Sequence, residues 1–238
     1  METIKRILQN KITDRITPGK AILIFGARRV GKTVLMRRIV DEYPGKTMML
    51  NGEDYDTQAL LTNRTIANYR HLLEGIDLLV IDEAQSIPHI GSILKLIVDE
   101  IKGIKVLASG SSSFDLLNKT GEPLVGRSTQ FILTPFSQQE INQIETPFQT
   151  RQNLEARLIY GSYPEVVTID SFEQKTDYLR DIVSAKLLQK SEMRKNMVMD
   201  LIYRGFINAA NYSESHYNPR RSQIKTELRY LFVTTPNR

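Results

Sequence analysis

Eight residues, Gly26-Ala27-Arg28-Arg29-Val30-Gly31-Lys32-Thr33, directly follow the apolar run Ala21-Ile22-Leu23-Ile24-Phe25 and leave the chain little local freedom. The run reads as a buried strand, and Lys32 to Glu42 reads as a helix closed by Tyr43-Pro44-Gly45. A strand that opens through a glycine loop into a helix is the arrangement of a P-loop. The glycines let consecutive backbone N–H groups curl around a polyphosphate, and the helix adds its positive dipole end. Lys32 then pairs with β- and γ-phosphate oxygens, and the Thr33 hydroxyl takes one position on Mg2+. The nucleotide-binding set is Gly26, Ala27, Arg28, Arg29, Val30, Gly31, Lys32, Thr33 and Val34.

About fifty residues on, Ile76-Asp77-Leu78-Leu79-Val80-Ile81 runs into Asp82-Glu83-Ala84-Gln85. An apolar strand ending in two acids is costly unless a cation waits at its tip. Asp82 is placed to hold Mg2+ with Thr33, and Glu83 to polarise an attacking water. A second reading makes the pair a cap for the helix around Ile90 to Ile101, since acids suit a first turn. The upstream glycine loop favours the Walker B reading, in which Glu83 is the catalytic base.

Two further residues are candidates. Ser111, in Ser109-Gly110-Ser111-Ser112-Ser113, follows a strand and is assigned contact with the γ-phosphate or the attacking water; the alternative is a helix cap. Arg127 follows the loop Gly121 to Gly126 and is assigned the active edge, where a guanidinium stabilises the transferring phosphoryl; the alternative is an ordinary surface arginine. Arg28 and Arg29 stay ambiguous between ligand contact and solvated charge.

The 238 residues are 41% apolar and 25% charged, ordinary proportions for a globular chain. No cysteine is present, which excludes disulfides, zinc-thiolate sites and a cysteine nucleophile. His71, His89 and His216 lack ligand spacing. The amino terminus lacks a signal-type apolar core and no run reaches membrane length, so a cytoplasmic protein is expected. The net charge of +5 is compatible with a basic face.

Strands at Ala21–Phe25, Thr47–Leu50, Asp77–Ile81, Ile104–Ala108 and Thr129–Leu133 alternate with helices, including Thr57–Leu73 and Ile90–Lys102. That pattern predicts an α/β fold: a three-layer parallel sheet of the P-loop NTPase kind, with ligands at the carboxyl ends of the strands. From Ser137 the pattern turns helical, over Ser137–Ile144, Gln149–Tyr160, Ser171 to about Gln189 and Met193–Tyr203. The expected division is a core at 1–136, a small helical lid subdomain at 137–205 and a polar tail at 206–238.

Together with these motifs, Leu124-Val125-Gly126-Arg127, Leu133-Thr134-Pro135-Phe136-Ser137 and Gly161-Ser162-Tyr163-Pro164-Glu165 make the chain resemble prokaryotic AAA-type ATPases that carry a carboxyl-terminal DUF4143 domain. The resemblance covers roughly residues 1–200 and implies an additional-strand, catalytic-glutamate fold with the sensor strand between the P-loop and Walker B strands. It also implies an arginine-finger or sensor role for Arg127, and it makes a chain ending at Arg238 read as truncated. The expected function is Mg-ATP binding and hydrolysis, with ATP and Mg2+ as ligands. The alternative is a non-hydrolysing switch that organises DNA or a protein partner. A homo-oligomer is a candidate state and no membrane role is expected. A small-molecule kinase is disfavoured by the Asp-Glu pair, and the lack of an Asn-Lys-x-Asp segment favours adenine over guanine.

Overall fold

The computed structural model describes residues 4–110 and 124–188. Five parallel strands form one sheet in the order β2-β3-β4-β1-β5: β1 Ala21–Phe25, β2 Thr47–Asn51, β3 Leu78–Asp82, β4 Lys105–Gly110 and β5 Ser128–Ile132. Parallel strands need crossover helices, which cover both faces and leave the central strands apolar throughout. All five residues of β1 and all five of β3 are buried accordingly.

Side-chain alternation divides the core between the two faces. Ala21, Leu23, Phe25, Leu79, Ile81, Val106 and Ala108 pack with α3 (Tyr55–Thr62), α4 (Ile66–Leu72) and α5 (Ile90–Glu100). Ile22, Ile24, Leu78, Val80 and Leu107 pack on the other face with α1 (Leu8–Thr13) and α2 (Lys32–Glu42). The strand β4 lies between β1 and β3, in register Ile24↔Ser109 on one side and Ile81↔Ala108 on the other. This is the additional-strand order expected from the resemblance.

The carboxyl-terminal rim therefore gathers the ends of β1, β3 and β4. Two glycines permit its tight packing. A Cβ on Gly26 would lie 2.4 Å from the Leu133 carbonyl oxygen, and one on Gly52 would lie 2.5 Å from that of Glu83. Only hydrogen fits at either point.

Among the described residues, five helices follow the sheet: α6 Gln138–Ile141, α7 Pro147–Gln152, α8 Leu154–Tyr160, α9 Pro164–Thr168 and α10 Phe172–Leu188. Ser137 and Glu140 form a complete capping box at the start of α6. Glu140 also accepts from the Ile7 N–H and pairs with the buried Arg6 at 3.2 Å, while Arg6 donates to the Thr134 carbonyl and stacks 4.6 Å from the Phe136 ring centre. The segment before α1 thus binds the first turn after the sheet. The expected helical stretch Thr57–Leu73 is divided between α3 and α4, and the expected helix Gln149–Tyr160 is interrupted at Asn153, between α7 and α8. Thr65 accepts from the Asn68 N–H and restarts α4, and Thr146 and Gln149 form a second capping box with Pro147 at the first turn of α7. The segments 193–203 and 206–238 lie outside the described residues.

Candidate nucleotide site

The glycine loop spans the gap between β1 and α2. Gly31 has φ 93° and Arg29 has φ 64°, positive values on either side of Val30 of the kind that turn backbone N–H groups into one concavity. Val30 is fully buried and anchors the loop to the core around Leu35 and Met36. The helix α2 begins at Gly31 without a capping side chain and without an acid in its first turn. Its first N–H groups are thereby suited to an anion. Lys32 is buried, with its ammonium donating to the carbonyls of Gly26 at 3.1 Å and Ala27 at 3.2 Å. Arg28 and Arg29 are exposed, and Val34, one residue past Thr33, is 51% exposed on the helix.

The tip of β3 meets this loop. The Thr33 hydroxyl donates to Asp82 Oδ2 at 2.5 Å. The other oxygen, Oδ1, accepts from the Ser109 hydroxyl of β4 and from the Glu83 N–H at 3.1 Å. The Glu83 N–H also reaches Ser109 Oγ at 3.1 Å. Asp82 is buried under these three donors: one comes from α2, one from β4 and one from the next backbone N–H. Glu83 has φ 48° and its carboxylate accepts from Gln85 Nε2 at 2.5 Å. Neither acid caps α5, whose N-terminal cap is His89. The capping alternative for Asp82 and Glu83 is therefore set aside.

One expectation comes out differently. Arg127 precedes β5, and its carbonyl accepts from the Ala21 N–H at the start of β1. In a parallel sheet an entering strand lies at the amino-terminal rim, so Arg127 stands about 16 Å from the loop, the length of five strand residues. Its Nε pairs there with Asp99 Oδ1 at 2.6 Å. Arg127 is not at the active edge of its own chain. Ser111 lies outside the described residues. Ser109, in the same serine-rich stretch of sequence, donates to the Asp82 carboxylate and accepts from the Glu83 N–H. The signal was present: Ser109 is two residues before Ser111 in the sequence and lies near the carboxyl end of β4.

Among the described residues, no cluster of three or more His, Cys, Asp or Glu could hold a metal, and no helix is long and apolar enough to cross a membrane. The donor set Thr33 plus Asp82 suits Mg2+, which takes few protein ligands and completes its shell with phosphate oxygens and water.

A parallel sheet with a glycine loop after β1, an acid pair at the tip of β3 and an intervening strand defines a P-loop NTPase, a nucleotide-binding class. The AAA domain profile AAA_14 matches residues 18–142, more than half of the sequence, and the chain belongs to that family. It is 32% identical over 108 residues to the uncharacterized protein Rv2008c of Mycobacterium tuberculosis, covering 44% of this chain and 23% of the relative. To the uncharacterized protein MJ1544 of Methanocaldococcus jannaschii it is 23% identical over 194 residues, covering 74% and 43%. The chain spans less than half the length of these curated relatives. Solved structures similar to it include domain III of the Thermotoga maritima replication initiation protein DnaA, at TM-score 0.46, 15% identity and coverage of 80% and 87%. Pif1 helicase from Candida albicans follows at TM-score 0.41, 15% identity and coverage of 66% and 44%.

Proposed function

We propose that this chain binds Mg-ATP and hydrolyses it to ADP and phosphate. The observation that carries the reading is the 2.5 Å contact between Thr33 and Asp82, which brings the end of the glycine loop and the tip of the acid strand to one point. In this reading the loop amides and Lys32 hold the phosphates, with the ammonium exchanging the carbonyls of Gly26 and Ala27 for phosphate oxygens. Thr33 and Asp82 hold Mg2+, which neutralises charge on the β- and γ-phosphates when bound. Ser109 fixes the orientation of Asp82 and of the Glu83 backbone. Glu83 orients the attacking water and accepts its proton, once its carboxylate turns from Gln85. Ser111 is assigned to the γ-phosphate. Helices beyond residue 137 act as a lid on a core of residues 1–136.

Most of the catalysis would come from positioning and electrostatics, as in other phosphoryl transfers. Arg127 is too far away to act on a nucleotide in its own chain, so its assigned finger role requires a second copy. That position also favours a second reading, in which the chain holds ATP as a non-hydrolysing switch that organises DNA or a protein partner.

Equilibrium titration with ATP and Mg2+, and phosphate release with and without DNA, test both readings. The wild-type chain binds, and Lys32→Ala abolishes affinity. Release that rises faster than linearly with protein concentration supports hydrolysis on assembly. Binding with no release at any concentration supports the switch. Equal ATP affinity in wild type and Lys32→Ala would refute the site.

A further inference from the structure

The chemistry above gives no task to the two arginines inside the glycine loop, yet Arg29 is not a plain surface charge. Its φ of 64° is strained for a residue with a Cβ, by about 1–2 kcal/mol, whereas glycine would adopt it freely. The side chain supplies an offsetting contact. The guanidinium carbon lies 5.2 Å from the ring centre of Tyr178 on α10. Tyr178 is 7% exposed, and its buried hydroxyl has no well-formed hydrogen bond among the described residues. Burial, and next the carboxylate of Glu165 on α9, push this phenol upward; Arg29 opposes them. Beside this cluster, Pro164 Cγ lies 3.9 Å from where a Cβ on Gly31 would stand, and Tyr163 packs against both the core beneath the loop and the small cluster of Val166, Tyr178 and Ile182. The α9 and α10 helices thus meet the loop at Arg29 and at Gly31.

We propose that Arg29 is a positioning residue for the phosphate loop: set over the Tyr178 ring, it holds the loop in the curve that aims its amides at the phosphates and ties that curve to α9 and α10. The inference rests on the nucleotide-binding reading above. By linkage, a nucleotide that fixes the loop also steadies α9 and α10, and loosening these helices weakens nucleotide binding by the same factor.

The test titrates a fluorescent ATP analogue with Mg2+ into the full chain, with a thermal melt of each variant to establish folding. Tyr178→Leu removes the ring and Arg29→Ala removes the cation while keeping the strain; each weakens binding about two- to fivefold, the ratio for an exposed cation–π contact. Tyr178→Phe keeps the ring and binds as wild type. The Arg29→Ala/Tyr178→Leu double variant binds no worse than either single variant, because one contact has been removed twice. Amide exchange in α10 slows with nucleotide in wild type and fails to slow in Arg29→Ala. Losses that multiply in the double variant, or Tyr178→Phe as weak as Tyr178→Leu, overturn the proposal. Wild-type affinity in both Arg29→Ala and Tyr178→Leu, with Lys32→Ala unable to bind, also overturns it while leaving the nucleotide site intact. A wild-type chain that binds no nucleotide overturns both.

Discussion

The Gly26→Ala substitution puts one methyl group into the closest backbone approach at the site. Its Cβ would stand 2.4 Å from the Leu133 carbonyl oxygen and 3.1 Å from Val30 Cγ2. The oxygen has little freedom to retreat, because the N–H of Leu133 donates to the Phe25 carbonyl at 2.7 Å and continues the ladder of β1 with β5. Relief requires a shift of about 1 Å in either the ladder or the loop, and an added methyl in a packed site costs about 1–3 kcal/mol. For a chain of this size each kcal/mol lowers the melting temperature by about 2–4 °C, which gives a decrease between about 2 and 12 °C. Nucleotide affinity falls as well, since the shift begins at the first loop residue. Gly75→Ala is the control. It has φ 69° and nothing within 4 Å of the added carbon, so it carries strain without altering the site. Thermal melts and ATP titrations of both variants read the two effects. A Gly26→Ala protein that melts and binds like wild type would refute the reasoning, as would equal loss of affinity in Gly75→Ala.

Ser109→Ala removes the hydroxyl that donates to Asp82 and accepts from the Glu83 N–H; loss of such a bond to a buried carboxylate costs about 1.5–3 kcal/mol, and urea titration measures it. Glu140→Ala leaves Arg6 buried beside no carboxylate and costs about 3–5 kcal/mol in the same assay, more than the double replacement of both residues by apolar ones. Arg127→Ala breaks only an exposed pair with Asp99, so stability changes by less than about 1 kcal/mol, whereas phosphate release loses its dependence on protein concentration. Burial raises the phenols of Tyr69, Tyr163 and Tyr178 above 10.0. Raised values mean that stability is intact below pH 10 and declines as the pH climbs through the folded-state values, because the unfolded chain releases these protons first. Chemical denaturation at pH 9 to 11 measures the decline, and Tyr178→Phe makes it shallower.

The loop itself was the most legible element. Strand β1 and helix α2 begin and end where the sequence places them, because a fully apolar run, two glycines and Tyr43-Pro44-Gly45 all act locally. The strand β3 starts one residue later than expected and includes Asp82, since its neighbour β2 extends the ladder to Asn51. Helix breaks were harder to see. Thr65 starts α4 by a hydrogen bond that competes with continuing the turn from α3, and an apolar period does not register that competition. Arg127 illustrates a different limit. A residue before a strand and a residue after one look alike in sequence, and only parallel pairing with β1 decides which rim each occupies. The tie between Arg29 and Tyr178 joins residues far apart in the chain, and neither type carries a local signature of the other.

The central claim is that Glu83 stands at a nucleotide-bound magnesium site built from Thr33 and Asp82. Phosphate release from ATP, measured side by side for the wild-type chain and Glu83→Gln at matched nucleotide occupancy and at the same protein concentrations, addresses it most directly. The account predicts release by the wild type and a loss of about 100-fold or more in the variant, with ATP affinity retained. Equal turnover by the two proteins would contradict it.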